Sequence, residues 1–294
     1  MTKKDPASRK RFYGTFVSLA LYVSATDILE RGDDLWQNFL KILIEDENFT
    51  PERYDPDEEP PRYVFEKSNL SPILKFLSTE GESILFERYN PHYLFYTIDT
   101  GSIVASGPDN SERISAEEVY FQQKENIDSF LSLSIRLYSL FQPFYGRACH
   151  KDDMNMQNTI YTHFPPGHPN AGKVYSMTGF GGDTRKGIPG VYWANFFSKI
   201  YIDTIGRGKF LTAPCYRREE LSDGSFLLLT SESPLDWEKP EVQELRKAMR
   251  THLGYEYFCD INNRDRTCKV PKFDFSVWEK ECDHGMKIPA RLQK

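Results

Sequence analysis

Gly187-Ile-Pro-Gly-Val-Tyr-Trp-Ala-Asn-Phe-Phe197, running on to Asp203-Thr-Ile-Gly-Arg-Gly-Lys-Phe-Leu-Thr-Ala-Pro214, is the stretch that decides the fold of this 294-residue chain. Its aromatic residues and glycines predict a buried strand, a turn and a helix. An asparagine amide inside an aromatic strand needs backbone partners, and a buried indole nitrogen needs an acceptor. The stretch therefore predicts a pinned strand-to-helix junction, whose structural residues are Gly190, Tyr192, Trp193, Asn195, Gly206 and Pro214.

The bulk composition predicts a folded protein with a substantial core. The chain contains 21 Phe and 17 Tyr, and a chain of this length buries about three quarters of its unfolded surface. With 43 acidic and 37 basic residues the formal charge is −6, which argues against nucleic acid as the main ligand and leaves a basic protein partner open. Five widely spaced cysteines suit reduced thiols, so we expect a cytoplasmic protein.

The start of the chain mimics a secretory signal, because basic residues precede the apolar run Phe12 to Val23. That run is interrupted by Gly14, Thr15 and Ser18 and is too short to span a bilayer. We interpret it as a central strand covered on both faces and expect no membrane association.

Periodicity predicts the elements of the first half. A helix follows the first strand, with Asp33 or Asp34 as its cap and one apolar stripe at Leu35, Trp36, Phe39, Leu40 and Leu43. A short helix is expected over 72–77, strands over 83–88 and 92–99, and a third strand over 103–105. Residues 126–141 have helical spacing that stops at Pro143.

The second half is predicted in the same way. Residues 151–186 are polar and rich in glycine and proline, which favours long connecting loops with room for one helical turn. Two strands, 213–219 and 225–230, should meet at the Asp223-Gly224 turn. A helix should begin at Pro240 and end at Gly254. A final strand is expected over 255–259.

These elements predict an α+β fold, in which a mixed, largely antiparallel sheet is flanked by helices. Because strands followed by helices occur in both halves, two similar α/β halves remain possible. We expect a single domain over 1–294, with possible sub-halves 1–150 and 187–275 joined by the loops of 151–186.

Candidate catalytic and metal-binding residues do not form a known pattern. A zinc site from Cys259, Cys268, Cys282 and His284 lacks the close ligand pairs that zinc modules use. Cys149 and His150 are adjacent, and neighbours in a strand point to opposite faces, which argues against a thiol nucleophile with its base. We predict no catalytic residues, no metal and no cofactor.

The histidines and glycines of the predicted loops also match no known metal-binding or phosphate-binding motif. His163 and His168 flank a Pro-Pro-Gly segment and lack the glutamate of a helical metallopeptidase motif, so we expect exposed loop histidines. The glycine-rich run at Gly179 lacks the Lys-Ser/Thr pair of a phosphate-binding loop.

One segment has a distinctive charge. Residues 45–61 carry eight acidic side chains against the single Arg53, interrupted by prolines, which predicts a surface loop. Its carboxylates could meet the basic cleft of a nucleic-acid-processing partner and steer the encounter. The predicted partner-binding residues are Glu45, Asp46, Glu47, Asp55, Asp57, Glu58 and Glu59.

The motif residues 188–197, 201–206, 211–214 and 223–230 together resemble the Immunity protein 52 family. Upstream, Tyr138 through Gly146 resembles that family's helix followed by a strand. The chain departs from the family at Phe197-Ser198, where an aromatic residue followed by glycine is expected, and in the polar residues 151–186.

That resemblance implies a cytoplasmic antitoxin encoded beside a polymorphic or type VI effector toxin. It would bind and neutralise its cognate toxin, a nuclease effector, without catalysis. Two alternatives stay open: a hydrolytic enzyme with a dispersed site that includes His163, His168 or Cys149, and a scaffold protein acting through an aromatic surface.

Overall fold

The computed structural model describes residues 16–56, 61–79, 83–88, 94–99, 111–120, 124–164, 166–169, 171–172, 174–178, 187–260 and 267–271. Its strands are β1 Phe16–Ser24, β2 Arg53–Asp55, β3 Tyr63–Val64, β4 Ser83–Arg88, β5 Leu94–Asp99, β6 Ser111–Tyr120, β7 Tyr145–His150, β8 Thr159–His163, β9 Val174–Thr178, β10 Ala194–Phe197, β11 Arg217–Glu220 and β12 Phe226–Leu229. Its α-helices are α1 Ala25–Glu45, α2 Ser71–Thr79, α3 Lys124–Phe141, α4 Lys151–Asn158, α5 Lys199–Ile205, α6 Arg207–Thr212 and α7 Pro240–Leu253.

The strands form one ten-stranded sheet in the order β11-β12-β10-β7-β1-β6-β5-β4-β2-β3, and β8 pairs with β9 in a separate hairpin. Neighbouring strands are antiparallel in every described pair. An isolated parallel bridge joins Ile188 to Phe258. The α+β prediction is therefore confirmed.

The first strand divides the core between the two faces of the sheet. Val17, Leu19, Leu21 and Val23 belong to a core formed with α1, α2 and α3. Ala20 and Tyr22 belong to a second core formed with α5, α6 and α7. Because successive side chains of a strand point to opposite faces, the continuous apolar run predicted for a doubly covered central strand is confirmed over the described residues.

The helix α1 carries the predicted stripe, since all five of its apolar residues are at most 2% exposed. Its backbone is not helical at Gly32, where φ is 52° and ψ is −140°. Glycine adopts this positive φ without strain. A new helical segment follows, which places Asp33 and Asp34 near a helix start, as predicted.

Several other predicted elements are confirmed. The β4–β5 and β11–β12 pairs are antiparallel, and Gly224 has a φ of +81° in the second turn. The predicted helices at 72–77 and 126–141 are α2 and α3. The helix α7 has Pro240 in its first turn and ends at Gly254 with φ 118°. The predicted strand at 103–105 lies outside the described residues.

Residues 151–186 were expected to be loops, and this prediction is wrong. They contain α4 and the β8–β9 hairpin, so His163 belongs to a strand. The polar composition misleads because, among the described strands, β8 and β9 pair with each other and not with the large sheet, and the buried residues of α4 are the polar Asp153 and Asn158.

Three further corrections concern short elements. Residues 45–61 are not only a loop, because Phe49 packs in the first core at 1% exposure and β2 pairs with β3 and β4. Residues 255–259 do not form a strand, since Tyr255–Tyr257 is a 3₁₀ helix. The polar sequence of β6 gave no strand signal, yet it lies between β1 and β5, where backbone pairing on both sides compensates for composition.

The two halves of the chain occupy different ends of the sheet. Strands β1–β6 form one end, β7, β10, β11 and β12 form the other, and β1 pairs with β7 at the join. The division of the chain into sub-halves stays a prediction. Among the described helices, none combines the length and apolarity needed to cross a membrane.

Candidate functional site

The motif that decides the fold is pinned as predicted. The Asn195 side-chain oxygen accepts the Tyr192 amide at 2.9 Å, and its nitrogen donates to the carbonyls of Tyr192 at 2.8 Å and Leu228 at 3.2 Å. The Trp193 ring nitrogen donates to the Ser231 carbonyl at 3.1 Å. All these side chains are buried, so this junction stabilises the fold and offers no surface for chemistry.

The remaining motif residues have structural positions too. A Cβ on Gly190 would meet the Gln157 side chain and lie 3.0 Å from the Tyr192 ring. Gly206 links α5 to α6 with φ 106°. Pro214 lies half-buried between α6 and β11.

A buried guanidinium lies behind this motif. Arg147 on β7 is 1% exposed, and its Nη atoms lie 3.0 Å from the sulfurs of Cys149 and Met154. Its charge lies over the Tyr192 ring, 4.8 Å from the centroid. A guanidinium stays charged in proteins, so the aromatic face and the polarizable sulfurs stabilise it here. The sequence analysis missed this residue, because a single arginine within an otherwise apolar strand was its only signal.

The adjacent Cys149 and His150 do not act together. They alternate along β7, and Cys149 lies 4.0 Å from the Ser18 hydroxyl while His150 stacks on Trp237 with 5.6 Å between ring centroids. Burial raises the pKa of the Cys149 thiol, and burial lowers the pKa of the His150 imidazole. A protonated, buried thiol is a poor nucleophile.

An ion pair connects α4 to α7. Arg246 Nη1 donates to Asp153 Oδ1 at 2.8 Å, and the two side chains are 6% and 0% exposed. Burial raises the pKa of the Asp153 carboxyl, and Arg246 offsets part of that rise. Arg246 lines a cleft of about 560 Å³, together with other α7 residues, Gln157, Val191, Tyr255 and Asp260. Arg246 serves to close the ion pair, which ties the cleft wall to the core.

Two of the other candidates from the sequence come together in the structure. Cys259 and Cys268 both lie close to Gly187, whereas Cys282, His284 and the Gly179 run lie outside the described residues. Within the described ranges, no group of three side chains could hold a metal ion. His168 is exposed and stacks on Phe164, 4.4 Å between centroids, which agrees with an exposed histidine.

The predicted acidic residues that the structure describes lie at one end of the sheet. Glu45 pairs with Arg136 and, at 3.8 Å, with Lys41. Glu47 is 92% exposed and lies 3.9 Å from Lys67, and Asp46 caps the turn by accepting the Asn48 amide. Asp57, Glu58 and Glu59 lie outside the described residues.

Asp55 has a different position from its acidic neighbours. Its side chain is fully buried, and Oδ2 accepts the Arg62 backbone amide at 3.1 Å and the Arg62 Nε at 2.8 Å. The carboxylate joins the two ends of the β2–β3 connection, so in this conformation it cannot contact a partner. The prediction that Asp55 belongs to the docking surface is therefore corrected.

The acidic segment adjoins the outermost described strand, β3. Tyr63 and Val64 are 49% and 62% exposed, which is unusual for neighbouring apolar residues on a sheet edge. At the opposite edge, β11 has the sequence Arg-Arg-Glu-Glu, and charges of this kind protect an edge from pairing. The sequence analysis missed Tyr63 and Val64, although their position directly after a proline-rich acidic run was a usable signal.

The sequence window that contains β3 is strongly acidic. Residues 45–67 contain nine acidic and three basic side chains, a net charge of −6, which equals the formal charge of the entire chain. The rest of the sequence is balanced. We call the described residues 45–56 and 61–67, which include β3, the acidic edge; they carry six acidic and three basic side chains.

No protein family matches the sequence, and no curated protein matches it, so the resemblance to Immunity protein 52 has no family match behind it. Among solved structures, the chain is similar to the Pseudomonas aeruginosa T6SS protein PA0821, with a TM-score of 0.47 and 13% identity over 88% of this chain and 90% of that chain. A similarity this low carries no argument about function.

Proposed function

We propose that this protein is an immunity protein that binds a cognate secreted toxin, a nuclease effector, and neutralises it without catalysis. The observation that carries the proposal is the acidic edge. Its described residues carry six acidic and three basic side chains, and they include the exposed Tyr63 and Val64 of the sheet edge.

Charge complementarity supports a nuclease as the partner. A nuclease must attract a phosphate backbone, and it does so with basic side chains around its active site. The exposed Glu47 and Glu66 of the acidic edge offer carboxylates to the same side chains, which steers the encounter and fixes its orientation. Binding there would cover the nucleic-acid channel.

The composition of the acidic edge also suits a protein interface. Interface centres are enriched in aromatic residues and poor in charge, whereas the surrounding rim is polar. Tyr63 and Val64 provide the apolar centre, and Glu45, Glu47 and Lys67 provide charged surroundings. Tyrosine is among the residues that contribute most to binding energy.

The buried polar groups support binding over catalysis. A nucleophile needs a lowered pKa or an adjacent base, but burial raises the pKa of the Cys149 thiol, and His150 is stacked on Trp237. Asp153 is committed to Arg246. Each of these groups has a structural contact that explains its position.

The test uses the purified protein and the effector encoded beside it. Glu47→Lys, Asp57→Lys and Glu59→Lys together should lower the association rate constant at low salt by about tenfold or more and flatten its salt dependence. The matched control Asp128→Lys, Asp203→Lys and Glu244→Lys changes the net charge equally at exposed sites on α3, α5 and α7.

The effector alone should stop growth, and co-expression of the wild-type chain should restore it. If both triple variants slow association equally, the acidic edge is not the docking surface. Absence of any complex and of any rescue would refute the immunity function itself.

A further inference from the structure

Two cysteine sulfurs converge on the same face of Gly187. A Cβ built on Gly187 would lie 3.1 Å from the sulfur of Cys259 and 3.0 Å from the sulfur of Cys268. Because both sulfurs lie this close to one point, they are at most 6.1 Å from each other. Both cysteines are present as thiols and are partly exposed, which lets a small reagent approach them. The two thiols are therefore neighbours in space.

The backbone at Gly187 leaves room for both sulfurs. Its φ is +139°, a conformation that favours glycine. A side chain here would occupy the space that the two sulfurs share, and it would also lie 3.1 Å from the backbone nitrogen of Cys259. The amide of Cys259 donates to the Ile188 carbonyl at 2.9 Å, which fixes the position of this cysteine beside Gly187. The glycine thus permits the close approach of the thiols.

Hydrogen bonds also hold the segment that carries the second thiol. The Lys269 amide donates to the Glu256 carbonyl at 2.8 Å, and the side chains of these two residues form an ion pair at 3.5 Å. The Cys268 thiol donates to the Phe258 carbonyl at 3.2 Å. A thiol is a weak donor, so this last bond is readily given up. A change of χ1 rotamer moves each sulfur without displacing the backbone.

From this geometry we infer that Cys259 and Cys268 form a redox modification site, at which oxidation joins the two sulfurs in a reversible disulfide. The bond closes the loop between the two cysteines and fastens residues 267–271 to the residues around Gly187. Cys259 also lines the cleft of about 560 Å³, so the bond fixes one part of the cleft wall. This inference is independent of the proposed function, because no toxin takes part in it.

The co-reactant is a low-molecular-weight disulfide such as oxidised glutathione. The thiolate of one cysteine attacks a sulfur of oxidised glutathione, breaks its S–S bond and releases one glutathione thiolate. The thiolate of the other cysteine then attacks the protein sulfur of this mixed disulfide and releases the second glutathione thiolate. The two cysteines together lose two electrons, which oxidised glutathione gains, and the two thiol protons pass through water to the released thiolates.

The decisive measurement is mass-spectrometric peptide mapping of the native wild-type chain after incubation with oxidised glutathione. The chain should lose two hydrogen atoms, and one cross-linked peptide pair should join Cys259 to Cys268. Dithiothreitol should restore the thiols. Mixed disulfides with glutathione as the final product, or a bond from either residue to Cys282, would overturn the inference. So would a native chain that does not react at either residue.

The same reaction in urea separates the effect of the fold from that of sequence proximity. Unfolding releases the two sulfurs from Gly187, so the equilibrium constant for the internal disulfide against glutathione should fall at least about tenfold in urea. Equal constants in the native and the unfolded chain would show that the fold does not bring the thiols together, and they would overturn the inference. This comparison uses the wild-type chain and does not depend on the folding of a variant.

Three single variants identify the sulfurs. Cys259→Ser and Cys268→Ser should each stop at a mixed disulfide with glutathione on the remaining cysteine. The matched control Cys215→Ser removes another partly exposed thiol and should form the internal bond as the wild type does. Amide hydrogen exchange at Lys269 should slow at least about threefold in the oxidised wild type. An unchanged exchange rate at Lys269 would show that the bond does not fasten residues 267–271.

Discussion

Asn195 is the polar side chain on which the strand-to-helix junction depends most. Replacing it with alanine should show how much its hydrogen bonds contribute to the free energy of unfolding. Asn195→Ala removes the acceptor of the Tyr192 amide and the donors to the Tyr192 and Leu228 carbonyls. The Tyr192 carbonyl still accepts the Thr230 hydroxyl at 3.1 Å. The main cost is therefore the buried Tyr192 N–H, which loses its acceptor.

The magnitude follows from these contacts. A buried donor left without an acceptor costs about 1–3 kcal/mol, and each further hydrogen bond contributes about 0.5–1.5 kcal/mol. We expect Asn195→Ala to lower the free energy of unfolding by about 3–4 kcal/mol, a large share of the roughly 5–15 kcal/mol of a typical domain. The melting temperature should fall by about 6–10 °C.

The assay is equilibrium unfolding in urea, followed by circular dichroism and tryptophan fluorescence. The midpoint should fall while the slope stays unchanged, which indicates lost stability and not a changed denatured state. The matched control is Asn38→Ala on α1, where the amide makes one exposed bond to the Asp34 carbonyl at 2.8 Å. That change should stay within about 0.5 kcal/mol. A loss below about 1 kcal/mol for Asn195→Ala would refute the reasoning.

Three further predictions concern the buried polar groups. Burial raises the pKa of the Cys149 thiol, so this thiol should resist a disulfide reagent at pH 8 until urea unfolds the chain. Rapid labelling of Cys149 in the native protein would contradict its burial. Arg246→Leu should cost about 3–5 kcal/mol in urea unfolding, because the buried Asp153 carboxylate loses its counter-charge and keeps only the hydrogen bond from the Gln157 amide. The double variant with Asp153→Leu should regain at least half of that loss, and an equal loss in both variants would contradict this. Burial raises the pKa of four tyrosine phenols above the value of about 10 that they have in the unfolded chain. The stabilisation that these neutral phenols give the folded state is therefore complete below pH 10, and the free energy of unfolding falls as the pH rises above 10. These phenols belong to Tyr138, Tyr145, Tyr192 and Tyr201. Absorbance at 295 nm should show them ionising together with unfolding. Ionisation of these phenols near pH 10 in the still-folded protein would contradict this prediction.

Local sequence was sufficient to predict the structure wherever one residue meets a hydrogen-bonding or backbone-conformation requirement within a few positions. The Asn195 amide had to bond to nearby backbone, and it does so within its own junction and the paired strand. The helix ended by Gly254 and the turn at Gly224 follow from glycine's tolerance of positive φ. The continuous apolar run of β1 predicted burial on both faces, because the residues that point to each face of the strand are apolar.

Local sequence failed where pairing or distant charge determined the structure. The polar strand β6 gave no signal, since its position between β1 and β5 is set by partners far away in sequence. Residues 151–186 lack an apolar stripe, yet β8 and β9 pair with each other. The sequence also grouped Asp55 with its acidic neighbours, although it is buried against Arg62.

The amino-acid sequence by itself determined the α+β class, the doubly buried first strand, the pinned junction at Asn195 and the concentration of negative charge in one segment. These are properties of composition and short-range spacing. Only the tertiary structure decided that this segment adjoins the exposed edge at Tyr63 and Val64, that Arg246 reaches Asp153, and that Cys149 lies apart from His150. Such relations depend on strand order and on which face each side chain occupies, and both are set by long-range pairing that no local pattern encodes.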